Sequence, residues 1–255
     1  MIVVISPAKN INFDKEYLEI EVSKIRFKKQ SNELLSVLKQ LSDSDLKKLM
    51  KISNNLSQLN FERFQNMDLT KLQKVAKPSL LVFNGAVFQN MKLDSFSKED
   101  LLYSQNKLRI LSGFYGLLRP LDGIIPYRLE MGTSLKVGEY NNLYKFWGDK
   151  ITDLLNKDLS ENNDSAIINL ASNEYFKAIN TKKLNARIIT IEFKEYKDEK
   201  YKTIAIYAKM ARGIMSSYIL KNRIENLDEI KLFSEDGYLY NDIMSEADKW
   251  VFVRG

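Results

Sequence analysis

Short apolar runs alternate along this chain with longer segments of helical period. Five continuous or nearly continuous runs, each next to a turn signal, predict strands. These runs are MIVVI, SLLVFNG, LRILSG, AIINLAS and KWVFV. Two further runs, RIITIEF and TIAIYA, predict a hairpin around the charged turn KEYKDEKYK.

Segments with apolar residues three and four positions apart predict the helices. They are SNELLSVLKQL, DLKKLMKISNNLSQL, SKEDLLYSQN, LYKFWGDKITDLLNK and the stretch from Met210 to Arg223. Ser97 and Asp100 have the spacing of a capping box at the start of one of them. Because no repeat and no shift of composition divides the chain, the pattern predicts a single mixed α/β (α+β) domain over residues 1–255. Its mixed sheet is flanked by helices.

Three of the predicted strands end in a serine, namely Ser6, Ser112 and Ser172. Ligands of open parallel sheets bind beyond the carboxyl ends of the strands, where hydroxyl and free N–H groups suit an anion. Basic residues follow the same strands: Lys9, Arg119, Arg128 and Lys177. We therefore predict a site at this edge, although serines that only close turns would need no ligand.

Composition excludes several kinds of chemistry. The chain has no histidine and no cysteine, so imidazole and thiolate groups are unavailable as bases, nucleophiles or metal ligands. Its N-terminal apolar run is shorter than a signal peptide requires, and no later run approaches a membrane span. We therefore expect a cytoplasmic protein without membrane contact, and the sequence does not indicate its oligomeric state.

The net charge of +6 is distributed unevenly. Three windows, Leu69–Leu93, Leu101–Leu121 and Lys200–Ile224, contain lysine or arginine and no acid. If the windows meet in the fold, they form a positive cleft suited to phosphates. If the windows are instead solvated faces of separate elements, they form no cleft, and both interpretations stay open.

The segment LSGFYGLLRPLDGIIPYRLEMG, residues 111–132, holds four of the ten glycines and two of the four prolines. A long ordered loop of this kind is usually functional. We predict that it forms one wall of the cleft and directs Arg119 and Arg128 toward phosphate. Three aromatic residues of the loop either stack on exposed bases or pack the loop itself: Phe114, Tyr115 and Tyr127.

Several segments of the chain resemble, in order, the signature segments of the YaaA family of peroxide-stress proteins. They are ISPAK, LMKISNNL, FNGAVF, LRILSGFYGLLRPLDGIIPYRLEMG, LYKFWGDKIT, NLASNEYFK, YAKMARGIMSSYI and EDGY. The resemblance implies a single α/β domain with a positively charged cleft, DNA binding and a helix-hairpin-helix element. It also implies protection against hydrogen peroxide that is linked to lower free intracellular iron.

Carried over by position, the helix-hairpin-helix falls on Asn32–Leu59, with Ser42–Asp45 as the hairpin. The sequence departs from the usual hairpin here because the glycine is missing and Asp43 and Asp45 bring negative charge. We predict DNA binding that is largely independent of sequence, with phosphate contacts at Lys9, Arg119, Arg128, Lys209, Arg212, Lys47 and Lys48.

An enzyme is the alternative interpretation, because strand-end loops rich in Ser, Lys, Arg and Glu suit a nucleotide or a nucleic-acid base. The candidate catalytic residues are Glu130, Glu174 and Ser172. Glu130 pairing with Arg128 or Arg119, and Glu174 capping a helix, would explain these carboxylates without catalysis. We predict no cofactor and no metal site, since the available carboxylates (Asp122, Glu130, Asp149, Glu174) have no recognised ligand spacing.

Overall fold

A mixed eight-stranded sheet forms the centre of the protein in this computed structural model, which describes residues 1–255. The strands are β1 Ile2–Ile5, β2 Asn10–Ile11, β3 Lys77–Pro78, β4 Phe83–Asn84, β5 Leu108–Ser112, β6 Gly116–Leu118, β7 Gly123–Ile124, β8 Ala166–Asn169, β9 Arg187–Lys197, β10 Lys200–Lys202, β11 Leu239–Tyr240 and β12 Lys249–Arg254. Two small sheets, β2 with β4 and β3 with β7, lie outside the central one.

The α-helices are α1 Lys28–Leu38, α2 Asp43–Met50, α3 Asn54–Asn66, α4 Leu72–Val75, α5 Ser79–Val82, α6 Ala86–Asn90, α7 Lys98–Lys107, α8 Leu143–Trp147, α9 Lys150–Glu161, α10 Asn173–Phe176, α11 Ala205–Lys221 and α12 Leu227–Ile230. Short 3₁₀ turns lie at Leu93–Ser95, Thr181–Lys183 and Glu235–Gly237. None of the helices combines the length and the apolar character that a membrane crossing requires.

The central sheet has the order β11-β12-β9-β8-β1-β5-β6, with β10 paired to β9. Its five middle strands, from β12 to β5, are parallel, and β6, β10 and β11 run antiparallel to their neighbours. All residues of β1 and β8 are buried, as expected for parallel strands with both faces covered. The prediction of a mixed sheet flanked by helices is confirmed.

Most predicted strands are present, but two apolar runs were assigned wrongly. TIAIYA does not form a hairpin with RIITIEF; it begins α11, and the partner of β9 across the charged turn is β10. Most of SLLVFNG is the helical turn α5, and only Phe83 and Asn84 are extended. Both runs are short and apolar, so periodicity alone does not separate a strand from a helical turn.

Two predicted helices are each divided by a residue with positive φ. Lys51, at φ 53°, separates α2 from α3, and Gly148, at φ 49°, separates α8 from α9. The capping box predicted for α7 is present: the hydroxyl of Ser97 accepts from the N–H of Asp100, and the Asp100 carboxylate accepts from the N–H of Ser97.

The segment of residues 111–132 lies inside the protein rather than along an open wall. It carries β6 and β7, and the rings of Phe114, Tyr115 and Tyr127 are buried. The ring centres of Phe114 and Tyr115 are 4.7 Å apart, and those of Tyr115 and Tyr127 are 5.0 Å apart. The aromatic residues therefore pack the loop itself and are not accessible to bases.

Candidate functional site

The strand-end site forms where β1 and β8 lie side by side. From β1 the chain next enters the central sheet at β5 on one side, whereas from β8 it continues to β9 on the other. Ligands of open α/β sheets bind outside such a switch point. Ser6 and Ser172 meet here, with their Oγ atoms 3.2 Å apart, and the N–H of Ser172 donates to Ser6 Oγ at 2.8 Å.

Ser112, the third predicted serine, has a structural role. It is fully buried at the end of β5, and its Oγ accepts from the N–H groups of Phe114 and Tyr115. The Tyr127 hydroxyl lies 2.6 Å from the same oxygen. Ser112 therefore closes the turn that follows its strand and has no capacity left for a ligand.

Charged side chains gather around the half-buried Ser6 and Ser172. Glu130 Oε1 is 3.1 Å from both Lys9 Nζ and a terminal nitrogen of Arg128. Glu174 Oε1 accepts from the N–H of Gly132 at 3.0 Å. We call Ser6, Lys9, Arg128, Glu130, Ser172 and Glu174 the strand-end cluster.

Close backbone contact positions the charged part of this cluster. A Cβ atom on Gly113 would lie 2.4 Å from the carbonyl oxygen of Leu129, so only glycine lets the segment carrying Arg128 and Glu130 pass so near β5. Burial raises the pKa of the Tyr175 hydroxyl, and the nearby Tyr127, Glu174 and Glu130 raise it further. Tyr175 therefore stays a neutral hydroxyl beside both carboxylates.

The strand-end cluster is compensated in charge and closely packed. Its two basic groups both pair with Glu130, and the cavity that they line measures only about 10 Å³, roughly the space of one water molecule. Glu130 pairs with Arg128 as the non-catalytic interpretation expects, whereas Glu174 binds the Gly132 backbone instead of capping a helix.

Arg119 does not join Arg128, which corrects the prediction that the two converge. It follows β6, which runs antiparallel to β5, and so it lies level with the start of β5 rather than its end. Its guanidinium donates to the buried carboxylate of Asp122 at 2.9 Å.

Lys209 and Arg212 also lie elsewhere. They are in the second and third turns of α11, because that helix begins at Ala205 rather than near Met210. Lys209 is exposed, but Arg212 is largely buried, and burial lowers its pKa against the opposing effect of Glu192. No hydrogen bond or ion pair joins either residue to the strand-end cluster.

The sharp turn between two packed helices is at Lys51–Ser53, not at Ser42–Asp45. Ser42 instead begins α2 with a capping box to Asp45. The chain then turns through the left-handed Lys51, and Ser53 caps α3 by accepting from the N–H of Leu56. The turn was missed because a lysine occupies the left-handed position that usually selects glycine.

This displacement moves the two acids from the turn to the opposite end of α2. Asp43 and Asp45 are in the first turn of α2, roughly 10 and 8 Å, respectively, along the helix axis from its last residue. Lys47 and Lys48 are in the last turn, next to Lys51, and none of the three lysines forms an ion pair. The turn itself therefore carries a lysine and no acid, but Asp45 lies only three residues from Lys48 on the same helix and offsets part of its charge.

A basic cleft lies between residues 22–28 and residues 70–76. It encloses about 370 Å³, and its lining includes four lysines and no acid: Lys24, Lys28, Lys71 and Lys74. Only Lys71 has an acidic partner, exposed Asp68 at 3.6 Å. We call this feature the lysine cleft.

The lining of the lysine cleft also includes four apolar residues, Val22, Ile25, Leu72 and Ala76. Arg119 lies beside it, since a guanidinium nitrogen is 3.5 Å from the carbonyl oxygen of Lys24. Two of its lysines come from the acid-free window Leu69–Leu93. The other two were missed because they follow an N-terminal segment of mixed charge with no clear periodicity.

The carboxylates considered for a metal are not brought together. Asp122 is occupied by Arg119 and Ser23, and Asp149 by Lys183 and Asn180. No group of three or more carboxylates lies close enough to hold a metal ion.

Comparison with known proteins places the whole chain in one family. The model of the family described as peroxide stress protein YaaA matches residues 1–244. A UPF0246 protein of Saccharophagus degradans is 48% identical over 254 residues, covering 100% of this chain and 99% of its own length. UPF0246 proteins of Flavobacterium psychrophilum and Clostridium beijerinckii are 48% and 45% identical, covering 100% of this chain and 100% and 98% of their own lengths. The chain therefore belongs to the peroxide stress protein YaaA family.

Proposed function

We propose that this protein binds DNA through the phosphate backbone and protects it during peroxide stress in the cytoplasm. The lysine cleft is the observation that carries the proposal, because four lysines without a lining acid form a site for a polyanion. Lys24, Lys28 and Lys74 have no ion pair, so binding a phosphate would cost none of them an internal partner.

The chemistry of the cleft favours binding that tolerates any sequence. Lysine ammonium groups attract phosphates as point charges, and attraction of this kind carries no information about bases. Binding releases condensed counterions, so affinity falls steeply with salt. Covering DNA requires no iron ligand, and the lower free iron implied by the resemblance would be a separate effect.

The hairpin between α2 and α3 supplies a second basic surface. Lys47 and Lys48 are in the last turn of α2, and Lys51 lies just before the start of α3, where the first backbone N–H groups have no helical partner. A phosphate there would contact main-chain donors and lysines together. We expect the hairpin to assist the lysine cleft.

Titrations of the purified protein with unrelated duplexes at several salt concentrations test the proposal. Replacing Lys24, Lys28 and Lys74 by alanine should reduce the slope of log affinity against log salt by about three units, close to one for each lost phosphate contact. The control is a triple alanine variant of Lys136, Lys157 and Lys200, which removes the same charge from other exposed sites. The same slope in both variants, or a strong preference for one sequence, would contradict the proposal.

A second candidate function, an enzyme acting on a nucleotide or nucleic-acid base, is favoured by the position of Ser6 and Ser172 at the switch point. Glu130 or Glu174 would act as the base there, and Ser172 as a hydroxyl nucleophile or donor. Mass spectrometry of ligands retained on the purified protein tests for a nucleotide. Loss of peroxide protection in Glu174→Gln, with normal folding and DNA binding, would favour the enzyme over the DNA-binding function.

A further inference from the structure

A second large cavity has the opposite charge. It lies between the region of α12 and the β11–β12 region and encloses about 590 Å³, a size typical of small-molecule sites. Four carboxylates line it, those of Glu225, Asp228, Asp242 and Glu246, against only two basic residues. On a protein of net charge +6, this cavity is a local excess of negative charge.

The rings of Tyr240 and Trp250 are also part of the lining, and an ammonium group of the protein itself already occupies their faces. Lys231 Nζ is 4.9 Å from the centre of the Trp250 ring and 5.7 Å from that of Tyr240. The Asp228 carboxylate accepts from the same ammonium at 2.8 Å. This arrangement shows which group the rings and the carboxylate fit: an alkyl ammonium ion.

The other basic residue of the lining does not neutralise the cavity. Arg187 donates to the Asp248 carboxylate at 2.7 Å and to the carbonyl oxygen of Ala247. Asp242 and Glu246 form no ion pair, and Glu225 has only Lys107 at 3.8 Å. Three carboxylates are therefore left for a ligand.

We propose that this cavity binds a linear aliphatic oligoamine, a molecule in which methylene chains separate two or more ammonium groups. One ammonium would displace that of Lys231 from the ring faces beside Asp228, and the others would meet Asp242, Glu246 or Glu225. The methylene chain would lie on Leu227 and Ala247, which line the same cavity. The carboxylates are dispersed rather than converged on one point, which favours an extended organic cation over a metal ion.

Calorimetric titration of the protein with spermidine tests this proposal. Propylamine, which has a single ammonium group, and Mg²⁺, a compact divalent ion, are the control ligands. We expect saturable binding of one spermidine that is at least tenfold tighter than that of either control. Asp242→Asn combined with Glu246→Gln should weaken spermidine binding about tenfold. The matched control is Asp153→Asn combined with Glu161→Gln, which removes the same charge from exposed positions of α9.

Lys231→Gln separates a specific site from general attraction. It removes the internal ammonium from the rings, so spermidine should bind several-fold more tightly. Lys249→Gln makes the same charge change next to Trp250, but its ammonium pairs with Glu192, which does not line the cavity, so it should have a much smaller effect. The proposal would be overturned if Lys231→Gln and Lys249→Gln changed the spermidine affinity equally, or if the two double carboxylate variants did. Absence of saturable binding, or binding of a lysine-rich peptide without binding of spermidine, would also overturn it.

Discussion

Replacing Asp158 by asparagine should remove a large part of the stability of the protein. The Asp158 carboxylate lies on α9 and accepts from Arg26 at 2.6 and 2.8 Å and from Arg109. The three side chains are only 5%, 16% and 2% exposed, respectively. Asparagine keeps the shape of the side chain but leaves two guanidinium groups in a nonpolar region without a counter-charge.

The expected loss is about 3–5 kcal/mol, the usual cost of removing one partner from a buried ion pair. With about 2–4 °C per kcal/mol for a domain of this size, the melting temperature should fall by roughly 6–20 °C. Urea unfolding followed by tryptophan fluorescence measures the free energy directly. Glu161→Gln at the exposed end of the same helix is the control and should change it by less than about 0.5 kcal/mol.

The pH dependence follows from the same contacts. Burial alone would raise the pKa of Asp158, but the charge of Arg109 and the hydrogen bonds from both arginines outweigh burial and hold the pKa below its usual value. A lowered folded-state pKa adds stability above the pKa of the unfolded chain, about 3.9, and this stability is lost as the pH falls through the folded value. The difference between wild type and Asp158→Asn should therefore shrink below about pH 4.

An apolar replacement of all three residues distinguishes charge from packing. Arg26→Met, Arg109→Met and Asp158→Leu together leave no charge to compensate, so the triple variant should be more stable than Asp158→Asn alone. A loss below about 1 kcal/mol in Asp158→Asn, or a triple variant less stable than the single one, would refute this reasoning.

Two further substitutions probe the backbone. Gly213→Ala should destabilise the protein by about 1–3 kcal/mol in urea unfolding. The added Cβ would lie 2.0 Å from the Val87 carbonyl oxygen, where α11 packs against α6. Ser217→Ala on the same helix is the control and should have little effect. Lys51→Gly should raise stability by about 1 kcal/mol, since Lys51 has a left-handed backbone conformation, and should weaken DNA binding because it removes a charge. Lys48→Gly, in the regular part of α2, should lower both stability and DNA affinity. Unchanged DNA affinity in both lysine variants would remove the hairpin from the proposed interface.

Local pattern was sufficient for much of the fold. The apolar runs of β1, β5, β8 and β12 predicted their strands, because a strand with both faces covered is apolar at most positions. The start of α7 was predicted from two residues, since a capping box involves only contacts three positions apart. The beginning of α11 was not predicted, because the short apolar run TIAIYA has no helical period and Ile206 and Tyr207 in the first turn are exposed.

The candidate sites depended on tertiary structure. The sequence located basic residues, and it predicted that Ser6 and Ser172 lie at strand ends, because both follow strand signals. It did not give the adjacency of β1 and β8, the direction of β6, which carries Arg119 away from Arg128, or the packing that forms the lysine cleft. Periodicity records which face of an element is buried, whereas a cleft forms between elements far apart in the chain, so its charge depends on contacts that no local pattern contains.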